Sequence, residues 1–370
     1  MILLNLIPGL GSATLRRLLD AFGDLERLMS ASARELQQAG RVTPLLAGRI
    51  AEGCRDHARL ERELALAQGH GAAIVTLEDA GYPSALRTIS DPPLALYLRG
   101  TLTDADHIAV GLVGSRHASH YGLQSAERLA YELALRGVTV VAGLARGIDG
   151  ASHEGALRAS GRTIAVLGSG LANLYPTAHA RLAERIAESG AVISEYPIQT
   201  EPIPQNFPRR NRLISGLSLG VVVVEAAQRS GALITAGCAL EQGREVFAVP
   251  GPMTSITSQG THELLKQGAR LVTSVEDILD ELRLQPVVTP APAQVEQGDA
   301  GVLQPETQRR VLESLHRRRP TSIDAVAAQS GLSMPEISAA LLQLELQGIV
   351  EQRPGKLFLL DAHSGQRPAA

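Results

Sequence analysis

Seven short, almost uninterrupted apolar runs, separated by amphipathic stretches, occupy the middle of this 370-residue chain and leave few folds open to it. The runs fall at 108–113, 138–142, 163–167, 192–195, 220–225, 245–249 and 270–273. The helical stretches between them fall near 121–136, 150–160, 178–188, 208–217, 232–242 and 261–267. A run such as Val221-Val222-Val223-Val224 has no polar alternate, so both of its faces must be buried. Strands of that kind, alternating with helices, predict a parallel sheet covered on both sides. The fold class is therefore α/β, with an extended Rossmann-like core over about residues 72–284. Two further short strands, around 74–77 and 96–98, open that region among Pro-rich turns.

The flanks differ in kind. Residues 1–71 are helical by period, and Pro8-Gly9-Leu10-Gly11 marks a tight turn like that of a SAM or helix-hairpin-helix module. Such a turn either aims backbone N–H groups at a DNA phosphate or only packs, and a weaker version lies around 41–50. Residues 285–306 are rich in Pro, Ala, Val and Gln without period and read as a flexible linker. Residues 307–362 give three helices (307–317, 322–330, 333–347) and a small hairpin (349–351 with 357–360), the pattern of a winged helix. Ser333 and Glu336 form a capping box there. The would-be recognition helix carries Glu336 and Glu345 and no Lys or Arg, which argues against entry into a duplex groove. The basic Arg317-Arg318-Arg319 lies outside it.

Cys54 and Cys238 are isolated, which suits a reduced, cytoplasmic protein. No run is long enough to cross a bilayer, and no basic n-region opens the chain, so neither a membrane span nor a signal is expected. Net charge is −3, so a polyanion would have to be held by local clustering. Lys266 and Lys356 are the only lysines; the other cations are arginines, suited to bidentate phosphate contacts. Trp is absent and Phe and Tyr are few, so a single-strand binder of this composition would lean on backbone phosphates.

The chemistry lies in the loops after the strands, where open parallel sheets bind ligands. These read Gly114-Ser115-Arg116, then Gly143-Leu144-Ala145-Arg146-Gly147-Ile148-Asp149, then Gly168-Ser169-Gly170, and Ser230-Gly231-Ala232-Leu233-Ile234-Thr235. Glycines allow close approach, hydroxyls donate, and helix N-termini supply N–H groups, which together describe a phosphate cradle. Asn206-Phe207-Pro208-Arg209-Arg210-Asn211-Arg212 adds three guanidiniums at a helix start, where cations oppose the helix dipole unless an anion is held. No G-x-G-x-x-G follows the first strand and no Walker lysine is present, so neither a dinucleotide cofactor nor NTPase chemistry is expected. Asp149 is expected to order its loop, with His153 as a possible catalytic neighbour. Glu225 is expected to order adjacent loops, a general base being the alternative. His117 and His120 lack the partners of a metal site.

Taken in order, Val113-Gly114-Ser115-Arg116, the Gly143–Asp149 loop, Ser194-Glu195-Tyr196-Pro197, the 206–212 run, the 230–236 loop, Pro250-Gly251-Pro252 and Leu264-Leu265-Lys266-Gln267-Gly268-Ala269 resemble the DprA (Smf) family of natural transformation. The resemblance is dense over 72–275 and looser at the two flanks. It implies a protein that is not an enzyme and needs no cofactor or metal. Such a protein binds and protects incoming single-stranded DNA, dimerises through the Rossmann-like domain and loads the RecA recombinase. It places the DNA site on Gly114, Ser115, Arg116, Gly147, Phe207, Arg209, Arg210, Asn211, Arg212, Ser230, Gly231 and Thr235, to which the loop reading adds Gly143 and Arg146. The 198–206 loop has no cation, where relatives often carry a glycine or a basic residue, so Arg116 is left with more of the work and the arginines of 206–212 are expected to be the main grip. On that reading Arg116→Ala and Arg210→Ala each weaken oligonucleotide binding and leave the fold intact.

Two other functions fit this kind of chain. One is a phosphoribohydrolase resembling the LOG and lysine-decarboxylase-like proteins; the acid of their Pro-Gly-Gly-x-Gly-Thr-x-x-Glu loop is missing from Ser230–Ala236. The other is a duplex-binding regulator acting through the winged helix and the N-terminal hairpin.

Overall fold

In the computed structural model, residues 1–284, 305–315, 321–346, 350–353 and 357–360 are described. The chain divides into two compact units, Met1–Ala291 and Pro292–Ala370.

Six helices open the first unit: α1 (Ile2–Asn5), α2 (Ser12–Phe22), α3 (Leu25–Ser30), α4 (Ala33–Gly40), α5 (Pro44–Gly53) and α6 (His57–Gly69). Their starts follow local chemistry. Asp24 caps α3, Ser32 and Glu35 form a capping box on α4, Thr43 precedes Pro44 at α5, and Asp56 caps α6. Leu4, Ile7, Leu15, Leu18, Leu36 and Ile50 make the module's own core, which also takes in Leu94 from the following domain.

The sheet follows. Its strands are β1 (Ala73–Thr76), β2 (Ala95–Gly100), β3 (Ala109–Gly114), β4 (Thr139–Ala142), β5 (Thr163–Val166), β6 (Ala191–Ser194), β7 (Gly220–Glu225), β8 (Glu245–Ala248) and β9 (Arg270–Leu271). They lie in the order β1-β2-β6-β5-β4-β3-β7-β8-β9. The seven from β3 to β9 pair in parallel, as the apolar runs require. β1 and β2 do not: β2 runs antiparallel to β6, and β1 to β2, so the sheet is mixed at one edge.

Helix α7 (Ser84–Arg87) precedes β2. The crossovers α8 (His120–Leu135), α9 (Ile148–Arg158), α10 (Ala180–Ser189), α11 (Asn206–Leu217), α12 (Gly231–Glu241) and α13 (Gln259–Lys266) link the parallel strands, and α14 (Glu276–Glu281) ends the unit. The alternation within β7 divides the core. Val221 and Val223 face the layer of α11 and α12 with Leu213, Ile214 and Ala236, whereas Val222 and Val224 face α8 and α9 with Leu133, Ile148 and Ala156. Strand β3 sits between β4 and β7, so the winding reverses there. The reversal opens a crevice at the carboxyl ends of β3 and β7, where ligands of such sheets bind.

The second unit holds α15 (Pro305–Glu313), α16 (Ile323–Ser330) and α17 (Met334–Leu346). Its small sheet is β10 (Thr321–Ser322), β11 (Val350–Arg353) and β12 (Leu357–Leu360) in the order β10-β12-β11. Val311, Val326, Ile337, Leu341, Leu344 and Phe358 form its core. This is the expected winged helix with one strand more, since β10 is too short to show a period. Glu336 accepts from both the N–H and the hydroxyl of Ser333, at 2.9 and 2.6 Å, the first being one of the two bonds of the expected capping box. Most of the expected linker and Arg317–Arg319 lie outside the described residues.

Candidate nucleic-acid interface

The crevice at the reversal point is a cavity of about 660 Å³. The β3–α8 loop supplies Gly114, Ser115 and Arg116; the start of α11 supplies Phe207, Arg210 and Asn211; the β7–α12 loop and α12 supply Ser230, Gly231 and Thr235. First-turn residues of α9 (Asp149), α11 (Phe207, Pro208) and α12 (Gly231, Ala232) all line it, so three helix N-termini direct partial positive charge at one volume. Nine of the fourteen residues expected from the sequence are thereby brought together. Gly143, Arg146, Gly147, Arg209 and Arg212 do not line the cavity.

Gly147 acts on the cavity wall from behind. It caps α9 at φ 75°, its neighbour Ile148 donates to Ser115 O at 3.2 Å, and a Cβ at 147 would overlap that same carbonyl oxygen. Ser115 donates its N–H to Glu225 O at 2.7 Å, and its hydroxyl accepts from the His117 N–H at 3.1 Å. The loop is therefore tied at both sides while the Arg116 side chain stays exposed, its Cζ 5.4 Å from the centre of the Phe207 ring. Tyr175, half-exposed, meets Phe207 edge-on at 5.8 Å between ring centres. Tyr175 was not expected from the sequence; its only signal there is a Tyr-Pro pair after the Gly168–Gly170 turn.

The three arginines of the 206–212 run part company. Arg209 is exposed. Arg210 is 3 % exposed and turns under the sheet ends, where its Nη1 donates to Gly143 O at 2.8 Å and to Val166 O. A Cβ on Gly143 would lie 2.6 Å from Arg210 Cζ, so that glycine makes room for the guanidinium. Burial pushes the Arg210 pKa down to about 10, with the Asp149 carboxylate opposing the shift. Arg212 donates through Nε to Asp91 (3.2 Å) and through Nη2 to Glu195 (2.6 Å). The expected triple grip is thus divided: one arginine faces solvent and two are committed to the protein. Asn211 likewise donates to Gly231 O at 3.2 Å, joining α11 to α12.

The carboxylates are committed too. Asp149 Oδ2 accepts from the N–H groups of Gly143 (3.0 Å) and Ala145 (3.2 Å), ordering the β4–α9 loop. Glu225 accepts from the Ser119 N–H at 2.8 Å and from the Thr257 hydroxyl, as expected of a loop-ordering acid. His153 bonds Thr163 Oγ1 through Nδ1 at 2.7 Å rather than facing Asp149. Among the described residues no group of His, Cys, Asp and Glu could hold a metal. None of their helices is long and apolar enough to cross a membrane.

The family profile described as DNA recombination-mediator protein A matches residues 73–283, which is the sheet domain carrying this cavity. The chain belongs to the DprA/Smf family. Further profiles of that architecture match the flanks: a SAM-like helix-hairpin-helix tandem over 1–56 and the DprA winged helix domain over 289–356. Protein Smf of Escherichia coli K12 is 46% identical over 288 residues, covering 76% of each chain. DNA processing protein DprA of Bacillus subtilis is 43% identical over 225 residues, covering 60% of this chain and 76% of its own. An X-ray structure of DNA processing protein A (DprA) from Streptococcus pneumoniae superposes with a TM-score of 0.66 at 36% identity. It covers 76% of this chain and 96% of that one. DNA processing protein A from Helicobacter pylori, whose structure is described for its single-stranded DNA binding mode, gives 0.51 at 32% identity, covering 57% and 95%. This DprA/Smf member is therefore a DNA-processing protein.

Proposed function

We propose that this protein binds single-stranded DNA across the β3–α11–α12 cavity, shields it, and hands it to a RecA recombinase in the cytoplasm during natural transformation. The observation that carries the reading is the convergence of three helix N-termini and the exposed Arg116 on one cavity that also presents Phe207 and Tyr175. Phosphates suit the first set, and unpaired bases suit the aromatic faces. The role calls for no bond-breaking residue, and the acids at this end of the sheet, Asp149 and Glu225, are already held by backbone N–H groups. A homodimer through the same domain is part of the proposal. Exposed Met253 and Ile256 in the loop after β8, and Leu271 on the last strand of the sheet, offer apolar surface for it.

The test is a titration of single- and double-stranded oligonucleotides, in competition, over a range of salt. Single strands are expected to win. Arg116→Ala should weaken binding and lower the salt slope by about 0.7 while the melting temperature holds. Equal preference for duplex, or an Arg116→Ala protein that binds like the parent, would reject the assignment. Recombinase loading is read separately, as RecA assembly on strands already coated with single-strand-binding protein.

A further inference from the structure

Helix α2 begins at the Pro8–Gly11 turn, and its start is where a helix-hairpin-helix would present N–H groups to a phosphate. Its cap residue is Gly11, which has no side chain to satisfy them. The acceptor comes instead from another part of the chain. Asp91, 79 residues on, takes the Ser12 hydroxyl at 2.5 Å on Oδ1, and its other oxygen takes Arg212 Nε of α11 at 3.2 Å. Burial alone would push the Asp91 carboxyl up. The Ser12 hydroxyl, the Arg212 guanidinium and the Ala13 N–H outweigh it and hold the carboxyl below its ordinary value. The start of α2 is thus met by the protein's own carboxylate.

Two more polar contacts join the same parts. Asn5 of α1 donates to Glu195 O at 3.2 Å, and Glu63 of α6, 7 % exposed, accepts the Ile198 N–H at 2.7 Å. Glu195, held on Nη2 of Arg212, and Ile198 both belong to the segment that runs from β6 into α11. Helices α1, α2 and α6 therefore each grip either Asp91 or the approach to the helix that bears Phe207 and Arg209.

We infer that the N-terminal helical module is a positioning element for α11, acting through Asp91 and Arg212, and not a second DNA-contact site. The inference rests on the single-stranded DNA reading above. Asp91 and Arg212 touch no DNA; they set where the first turn of α11 stands against the Gly114–Arg116 loop.

The experiment compares the full-length parent with Arg116→Ala, Asp91→Asn, Arg212→Gln and the Asp91→Asn/Arg212→Gln double variant, by single-strand binding over a salt series and by thermal melting. Asp91→Asn keeps the shape and removes the charge. Its affinity is expected to fall about three- to thirtyfold, with a salt slope equal to the parent's because no phosphate contact is lost. The double variant should bind no worse than Arg212→Gln alone, since the aspartate acts through the arginine. Asp91→Asn that melts lower yet binds as the parent does when assayed well below its melting temperature would overturn the inference, as would additive losses in the double variant. So would a gain in affinity with a steeper slope, because that would mean a freed hairpin had taken a phosphate. Should the parent itself fail to bind single strands, the functional reading falls and the inference with it. A parent that binds, with the expected Arg116→Ala response and an unaffected Asp91→Asn, sinks the inference alone.

Discussion

Replacing Arg210 by alanine separates the structure's account of α11 from the sequence's. The sequence expects a fold left intact and a phosphate contact removed. The structure has the guanidinium 3 % exposed, donating to Gly143 O and Val166 O at the ends of β4 and β5, with Asp149 as its counter-charge. Each charged hydrogen bond of this kind contributes about 1.5–3 kcal/mol, and its loss takes a donor from a carbonyl at the sheet ends. Two such bonds put the whole change at about 3–6 kcal/mol. In a domain of this size that is a fall in Tm of about 6–24 °C. The assay is a thermal melt by circular dichroism beside a single-strand titration over salt, with Arg116→Ala as the exposed counterpart. Arg116→Ala should melt within about 2 °C of the parent, since exposed substitutions rarely exceed 0.5 kcal/mol. The reasoning is refuted if Arg210→Ala melts like the parent and lowers the salt slope by about 0.7, for then its side chain meets phosphate after all.

Three other outcomes follow from a buried, a strained and a half-exposed position. His153 is fully buried with Nε2 unpartnered, and burial first, then the electrostatic influence of the neighbouring His179 and Arg210, push its pKa down to about 3. The unfolded chain then binds a proton that the folded one refuses, so stability is whole above pH of about 6.5 and falls below it by about 1.4 kcal/mol per unit. Melts between pH 6.5 and 5 should show this fall in the parent and a shallower one in His153→Gln, and superimposable profiles would dismiss it. Gly147→Ala forces a side chain onto φ 75° and onto the Ser115 carbonyl. A strain of about 1–3 kcal/mol is expected, together with weaker single-strand binding as the Arg116 loop shifts; a variant that matches the parent in both would count against the close approach. Tyr175→Ala should weaken single-strand binding by about 1–3 kcal/mol with the salt slope unchanged, and a slope that falls instead would remove its role as a base-stacking face.

What the sequence made legible is what periodicity and chain order encode. Uninterrupted valine runs can only be strands buried on both faces, and the parallel winding then dictates which loops meet at the carboxyl ends. That is why nine of the fourteen expected residues line one cavity. Direction at the edge was not legible, because a short apolar run such as β2 has the same composition whether it pairs parallel or antiparallel. The fates of the arginines were hidden for a different reason. Neighbours on a helix point 100° apart, so charges crowded in sequence scatter in space. Their partners are distant as well: Asp91 lies 121 residues from Arg212 and Glu195 lies 17. Nothing local in 206–212 marks which guanidinium has a partner waiting.

The division of the arginines also bounds the grip on DNA. The chain carries −3 overall, so long-range attraction cannot supply affinity that local contacts lack. With Arg210 and Arg212 committed internally, the exposed cations on the loops and helix starts around the cavity are Arg116, Arg146, Arg209 and Arg229. Four phosphates neutralised on a single strand give a salt slope of about −3. A steeper slope per protomer would require cationic surface away from this cavity. Asp91 already meets the start of α2, which on the inference above leaves the hairpin no phosphate to take, and α17 carries no Lys or Arg among its residues. A slope near −3 that loses about 0.7 with each of these four exposed arginines, and nothing with Arg212→Gln, is therefore the signature of one cleft holding one short stretch of strand.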